Sequence, residues 1–275
     1  MVRPASNPTP FTALKTDLPP GAEHLPSVVH DALSNKTRLV LERQNISFAD
    51  TSIKLSEAGH LYRVVERLRP TNCAEIGFCQ GVSSIAILQA MADTGSTGKH
   101  YVVDPFQSTW WKNCAVENVE KAGLSNRLVF HEKFPEEVTS GFPLIQFGFI
   151  DGSHLFDLSI LDFILLDKRL EVGGVLGFHD MWMPALQRLV RYVLTNRDYE
   201  AYCEVAAARP VAGWKRGLKN ALAPVCRTAA KVRALENIFN ARLLLPLWTF
   251  GIEGNMVFIR KTGEDKRDYK DYREF

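Results

Sequence analysis

The 275-residue sequence predicts an α/β fold with a doubly wound, mostly parallel sheet. Three observations predict it. From residue 72 onward, short apolar runs alternate with segments of helical spacing. One run, AEIGF, ends in a glycine turn that opens a helix, and several others end in an acid. Strands alternating with helices imply a parallel sheet covered on both faces, with ligands beyond the carboxyl ends of its strands.

The elements follow in order. Residues 1–25, rich in proline, read as a flexible arm. VVHDALSNKTRLVLERQ and EAGHLYRVVERL space apolar residues by three and four, which predicts a helical cap before the sheet. NCAEIGF is the first strand and VSSIAILQAMA a helix. HYVVDPF is the second strand, followed by a helix over 110–122. RLVFHEKF and LIQFGFIDG are the third and fourth strands. LDFILLDKRL is a helix, GGVLGFHD the fifth strand and PALQRLVRYVLTN another helix. YEAYCEVA and NMVFIRK are the last strands. The domain spans 26–261. Residues 207–254 are too long for a hairpin loop and read as a helical insertion with its own structure. The tail 262–275 mixes both charge signs and reads as solvated.

Composition narrows the function. A net charge of +2 gives no case for nucleic acid. Five scattered cysteines without a CxxC pair suggest neither a zinc ribbon nor a disulfide framework, so a reducing cytoplasm is expected. The N-terminus lacks the apolar core of a signal peptide.

The chemistry gathers at strand ends. Glu75, Gly77 and Gly81 lie at the first strand-to-helix turn, where glycine lets a ligand approach and the helix start offers free N–H groups. Ser83 opens that helix. Asp104 ends the second strand, 27 residues after Gly77, where a carboxylate can accept from both hydroxyls of a ribose or serve as a turn acid. The order G-x-x-x-G, with Cys79 at the second glycine position, departs from the dinucleotide fingerprint and favours a smaller nucleoside cofactor over NAD. Asp151 ends the fourth strand, and His179 and Asp180 end the fifth. If those strands are neighbours, about 4.8 Å apart, the three side chains can meet over the sheet and suit a divalent cation such as Mg²⁺. A cap and a buried hydrogen-bonded pair are the plainer roles for the same residues. His154, three residues after Asp151, can take a proton at neutral pH or simply start a helix. Glu57 fits a helix cap and a site acid equally. Trp110 and Trp111 suit a ligand wall or core packing.

EIGFCQGVS, the acid in VVDPF and the paired FIDGSH and GGVLGFHD resemble the class I S-adenosylmethionine-dependent methyltransferases, over roughly residues 50–205 and the last strand. The resemblance implies a Rossmann-like sheet with an antiparallel last strand. It implies S-adenosylmethionine as cofactor, held through Glu75, Gly77, Gly81, Ser83, Asp104 and Asp151. Within that class the chain looks like the metal-dependent catechol-type and sugar O-methyltransferases. That likeness places metal ligands at Asp151, His179 and Asp180, a base at His154, and a sugar or polyhydroxylated small molecule, or a glycan, as acceptor. His179 stands where the catechol-type enzymes have Asp, and His154 where they have Lys.

Residues 214–243 carry seven basic residues against Glu236 alone, an excess of six. With +2 overall, the rest of the chain is about −4 by subtraction. The segment reads as a lid, with contact to an anionic membrane surface as the competing role. The sequence leaves the oligomeric state open.

Overall fold

A computed structural model describes residues 18–34, 38–41, 44–47, 51–202, 217–218, 221–222, 224–226, 246–247, 254–268 and 270–271. Helix α1 (Ser27–Ser34) is followed by an antiparallel hairpin of β1 (Arg38–Leu41) and β2 (Gln44–Ser47). The helix expected to run through 28–44 therefore stops early. The run Leu39-Val40-Leu41 pairs as a strand, and Leu41 opposite Gln44 leaves a two-residue connection, the length that favours a hairpin. Helix α2 (Leu55–Leu68) completes the cap.

The main sheet holds β3 (Cys73–Ile76), β4 (His100–Val103), β5 (Leu128–His131), β6 (Ile145–Ile150), β7 (Leu170–Phe178), β8 (Tyr199–Ala201) and β9 (Val257–Lys261). Their order is β5-β4-β3-β6-β7-β9-β8. Pairing is parallel from β5 through β7, and β9 runs antiparallel to both neighbours. The doubly wound, mostly parallel sheet and its reversed last strand are as the sequence predicts. The strand order reverses between β3 and β6, which opens a crevice at their carboxyl ends.

Alternation along each strand divides the core. Cys73, Phe147 and Phe149 pack with α1, α2, α3 (Val82–Asp93) and α4 (Cys114–Lys121). Ala74, Ile76, Ile150 and Phe178 face the other way, against α5 (Phe156–Asp167) and α6 (Pro184–Asn196). Both faces are buried, which is why these strands read as continuous apolar runs. Helix α4 begins at Cys114 rather than 110, because Lys112 and Asn113 take left-handed backbone angles. Helix α5 begins and ends earlier than expected, and β7 takes over at Leu170. Among the described residues, no helix is long and apolar enough to cross a membrane.

The start of the tail is exposed but makes specific contacts. Thr262 donates its N–H to Asp198 O (2.8 Å), Asp265 pairs with Arg197 (3.2 Å) and Arg267 donates to Tyr192 Oη (3.1 Å). Its mixed charges find partners on α6 and β8. Beneath them lies a buried ion cluster. Asp167 accepts from Arg197 and from Tyr199 Oη (2.7 Å), and Lys261 Nζ lies 3.5 Å from it. Lys261 also donates to the carbonyls of Asp167 and Leu170, at 3.0 Å each. This cluster ties the end of α5 to both β8 and β9. Asp167→Ala leaves buried cations short of a partner, and a loss of about 3 kcal/mol is expected. Chemical denaturation of wild type and variant measures it, and equal midpoints would contradict the assignment.

Candidate functional site

The glycine turn is built around close backbone packing. Gly77 has φ +95°, and a Cβ placed on it would stand 2.1 Å from the carbonyl oxygen of Asp151. Only glycine lets the turn after β3 press on the end of β6. Strand-end bonds lace the same edge: Gly77 N–H to Val103 O (2.9 Å), Asp151 N–H to Ile76 O (2.9 Å) and His179 N–H to Ile150 O (3.3 Å). Gly81, at φ +78°, begins α3 against Ala115.

The acids of the turn are each held by several neighbours. Glu75 is 0% exposed, and its carboxylate accepts from the hydroxyls of Ser83 and Ser84 and lies 2.8 Å from His100 Nε2. Glu75 and Ser83 thus pin α3 onto β3. Asp104 is buried and already holds four donors. Its Oδ2 accepts from Phe78 N–H (3.0 Å), Cys79 N–H (3.2 Å) and Gln107 Nε2 (3.2 Å), and its Oδ1 from Phe106 N–H (2.8 Å). Those bonds fix the carboxylate at the turn, with Oδ1 taking a single donor. Trp110 stacks on Phe106 with ring centroids 3.9 Å apart, and Phe134 meets Phe106 edge-on. This aromatic group stands just beyond Asp104.

Asp151, His154, His179 and Asp180 come together because β6 and β7 are neighbours in the sheet. His154 Nε2 lies 3.1 Å from Asp180 Oδ2 and 3.9 Å from Asp151 Oδ1. The nitrogen is buried but makes no hydrogen bond. One donor atom each from Asp151, His154 and Asp180 lies within 4.8 Å of the others. Two carboxylates and an imidazole nitrogen at that spacing fit a divalent cation, whose metal–ligand distances run from about 2.0 to 2.6 Å.

His179 packs against this group, its Nδ1 3.5 Å from Asp180 Oδ1. Its Nδ1 lies 3.2 Å from Asp151 Oδ1, and its Nε2 lies 3.3 Å from Glu57 Oε2. Two residues without a settled role join it. Glu57 caps α2 by accepting from Lys54 N–H (2.8 Å) and reaches His179 with the same oxygen. Asn255, which leads into β9, donates from Nδ2 to Asp180 Oδ1 (3.3 Å) and Glu57 Oε1 (3.4 Å). Its only trace in the sequence is a polar residue at the mouth of an apolar strand. Trp182 Nε1 also donates to Asp180 Oδ1 (3.0 Å), while its ring is 66% exposed.

The charges reinforce one another. The carboxylates of Asp151 and then Asp180 raise His154 to about 9. Burial works to lower His179, but Asp151, Glu57 and Asp180 outweigh it and raise the ring to about 10. Burial likewise opposes ionisation of Asp180, yet His154, His179 and Asn255 hold its carboxyl well below the usual range.

Residues 74–181 match the family model described as a methyltransferase domain. The segment runs from β3 through the end of β7 and contains the glycine turn and both acid-bearing strand ends. That segment is therefore similar to a methyltransferase domain, and the sheet around it has the Rossmann-like strand order. Solved structures share the fold. A candidate O-methyltransferase from Klebsiella pneumoniae is 14% identical, with TM-score 0.53, across 64% of this chain and 82% of that one. A methyltransferase from Podospora anserina, solved with SAH bound, is 14% identical, with TM-score 0.50, across 65% and 83%. A cofactor-bound MTB protein is 13% identical, with TM-score 0.50, across 63% and 78%. No curated protein matches the chain. The basic segment 214–243 lies almost wholly outside the described residues.

One further acid lies behind the methyltransferase site. Asp162 on α5 is buried near Gly152, and burial, with Glu136 nearby, raises it to about 7 from an ordinary 3.8. The folded protein keeps this proton to about pH 7, whereas the unfolded chain gives it up near 3.8. The folded state therefore binds more protons across that window, and stability falls as pH rises through it. Asp162→Asn is expected to raise Tm at pH 8 and leave it unchanged at pH 4. Thermal melts at both pH values check this, and an equal shift at both would exclude the linkage.

Proposed function

We propose that this methyltransferase transfers the methyl of S-adenosylmethionine to a hydroxyl oxygen of a sugar or polyhydroxylated small molecule. The observation that carries the reading is the convergence of Asp151, His154 and Asp180 beside the Gly77 turn. The hydroxyl oxygen attacks the methyl carbon in line with the sulfur, and the carbon–sulfur bond breaks with its electron pair left on sulfur. The products are S-adenosylhomocysteine and a methyl ether, and the hydroxyl proton passes to His154 Nε2. Positioning of the oxygen behind the methyl supplies a large share of the rate.

Asp151 and Asp180 would hold a divalent cation. Bound there, it lowers the pKa of a hydroxyl that it coordinates. The carboxylates that would hold the cation are also those that keep His154 charged. Once their charge is offset, the imidazole returns toward its ordinary range, where it can take a proton.

A second reading makes His154 a third ligand, favoured by its buried Nε2 that points at both carboxylates without a hydrogen bond. Mn²⁺ titration separates the two: a base leaves Mn²⁺ affinity unchanged in His154→Ala, whereas a ligand does not. The basic segment 214–243 belongs to the reading as a lid over the acceptor. An increase in protein bound to phosphatidylserine vesicles over phosphatidylcholine vesicles would instead assign it to an anionic surface.

Calorimetry is expected to show heat with S-adenosylmethionine and none with NAD, and the reverse would sink the reading. With sugar and catechol acceptors, methyl transfer is expected to fall on addition of chelator. His154→Ala is expected to lower kcat by about 10²–10⁴-fold with S-adenosylhomocysteine affinity retained. Full activity in that variant would remove the base.

A further inference from the structure

We infer that Glu57, His179 and Asn255 form a positioning array that holds the carboxylates of Asp151 and Asp180, with His179 bracing those groups from behind rather than coordinating the cation itself. The inference rests on the proposed cation site and adds three residues to it, from three distant parts of the chain.

The geometry of His179 is the first argument. A histidine ligand offers one nitrogen lone pair to the ion and donates its other N–H to a partner. His179 has a carboxylate against each nitrogen, Asp151 at 3.2 Å and Glu57 at 3.3 Å, and the ring is only 7% exposed. Neither nitrogen belongs to the convergent group that His154 completes.

Asn255 supplies the second argument. Its Nδ2 lies within 3.4 Å of Glu57, His179 and Asp180 at once. Its backbone carbonyl accepts from Met181 N–H (3.0 Å). The residue where the chain re-enters the sheet at β9 is thus fastened to the end of β7 by side chain and backbone together.

Asp180 supplies the third. Its φ of +52° is left-handed, a conformation that strains a residue other than glycine. Such strain persists where the surroundings over-determine it. Trp182, Asn255 and His154 all hold this carboxylate.

Hydrogen-bonded supports of a metal ligand typically account for 10–100-fold in metal affinity. The test uses the full-length protein with Mn²⁺ as probe, titrated by electron paramagnetic resonance of the free ion. Glu57→Gln and His179→Gln are each expected to weaken Mn²⁺ binding by about 10–100-fold, with S-adenosylhomocysteine affinity by calorimetry within about twofold. At saturating Mn²⁺, pulsed spectra of directly bound nitrogen are expected to be the same in wild type and His179→Gln. Asn255→Ala, at the far edge of the array, is expected to weaken Mn²⁺ in the same direction, and decides the matter should His179→Gln fail to fold. Loss of a bound-nitrogen signal in His179→Gln would make His179 a ligand and overturn the inference. So would wild-type Mn²⁺ affinity in Glu57→Gln and Asn255→Ala. A wild-type protein that binds no Mn²⁺ overturns the cation site and this array together. Loss of methyl transfer or of S-adenosylmethionine heat bears on the proposed function alone.

Discussion

Everything in the site depends on how closely the turn after β3 approaches the end of β6. Gly77 touches the backbone of Asp151 where any side chain would collide. That contact sits where the strand order reverses, so it joins the two halves of the sheet at the crevice. It holds the glycine turn beside the acids of β6 and β7.

The second organising fact is a balance of charge. Glu57, Asp151 and Asp180 face His154 and His179. Each acid keeps a histidine protonated, and each histidine keeps an acid ionised. A patch of this kind resists being emptied of either sign. Two carboxylates and one imidazole nitrogen converge, and the other imidazole contacts the acids around them.

Much of this was legible in the sequence, for local reasons. Apolar runs ending in Gly or Asp marked the strands, and the fixed separation of FIDGSH from GGVLGFHD marked two strand ends. Asp151, His154, His179 and Asp180 do meet. The acids of the glycine turn were harder to read. Glu75 takes hydrogen bonds from Ser83, Ser84 and His100, and Asp104 takes four donors of the turn itself. A sequence shows that a carboxylate stands at a strand end. It does not show how many of its lone pairs the backbone has already claimed.

By itself, then, the sequence determined the alternation of strands and helices, the need for glycine at position 77 and the strand-end placement of the acids and histidines. These are set by spacing, by side-chain type and by conformations that few residues can adopt. Tertiary structure decided which of those groups remain available. It brought Glu57 from α2 and Asn255 from the mouth of β9 onto His179, over separations of 122 and 76 residues. No local pattern encodes such contacts, because they arise only when the sheet order and the packing of the cap bring remote segments to one point.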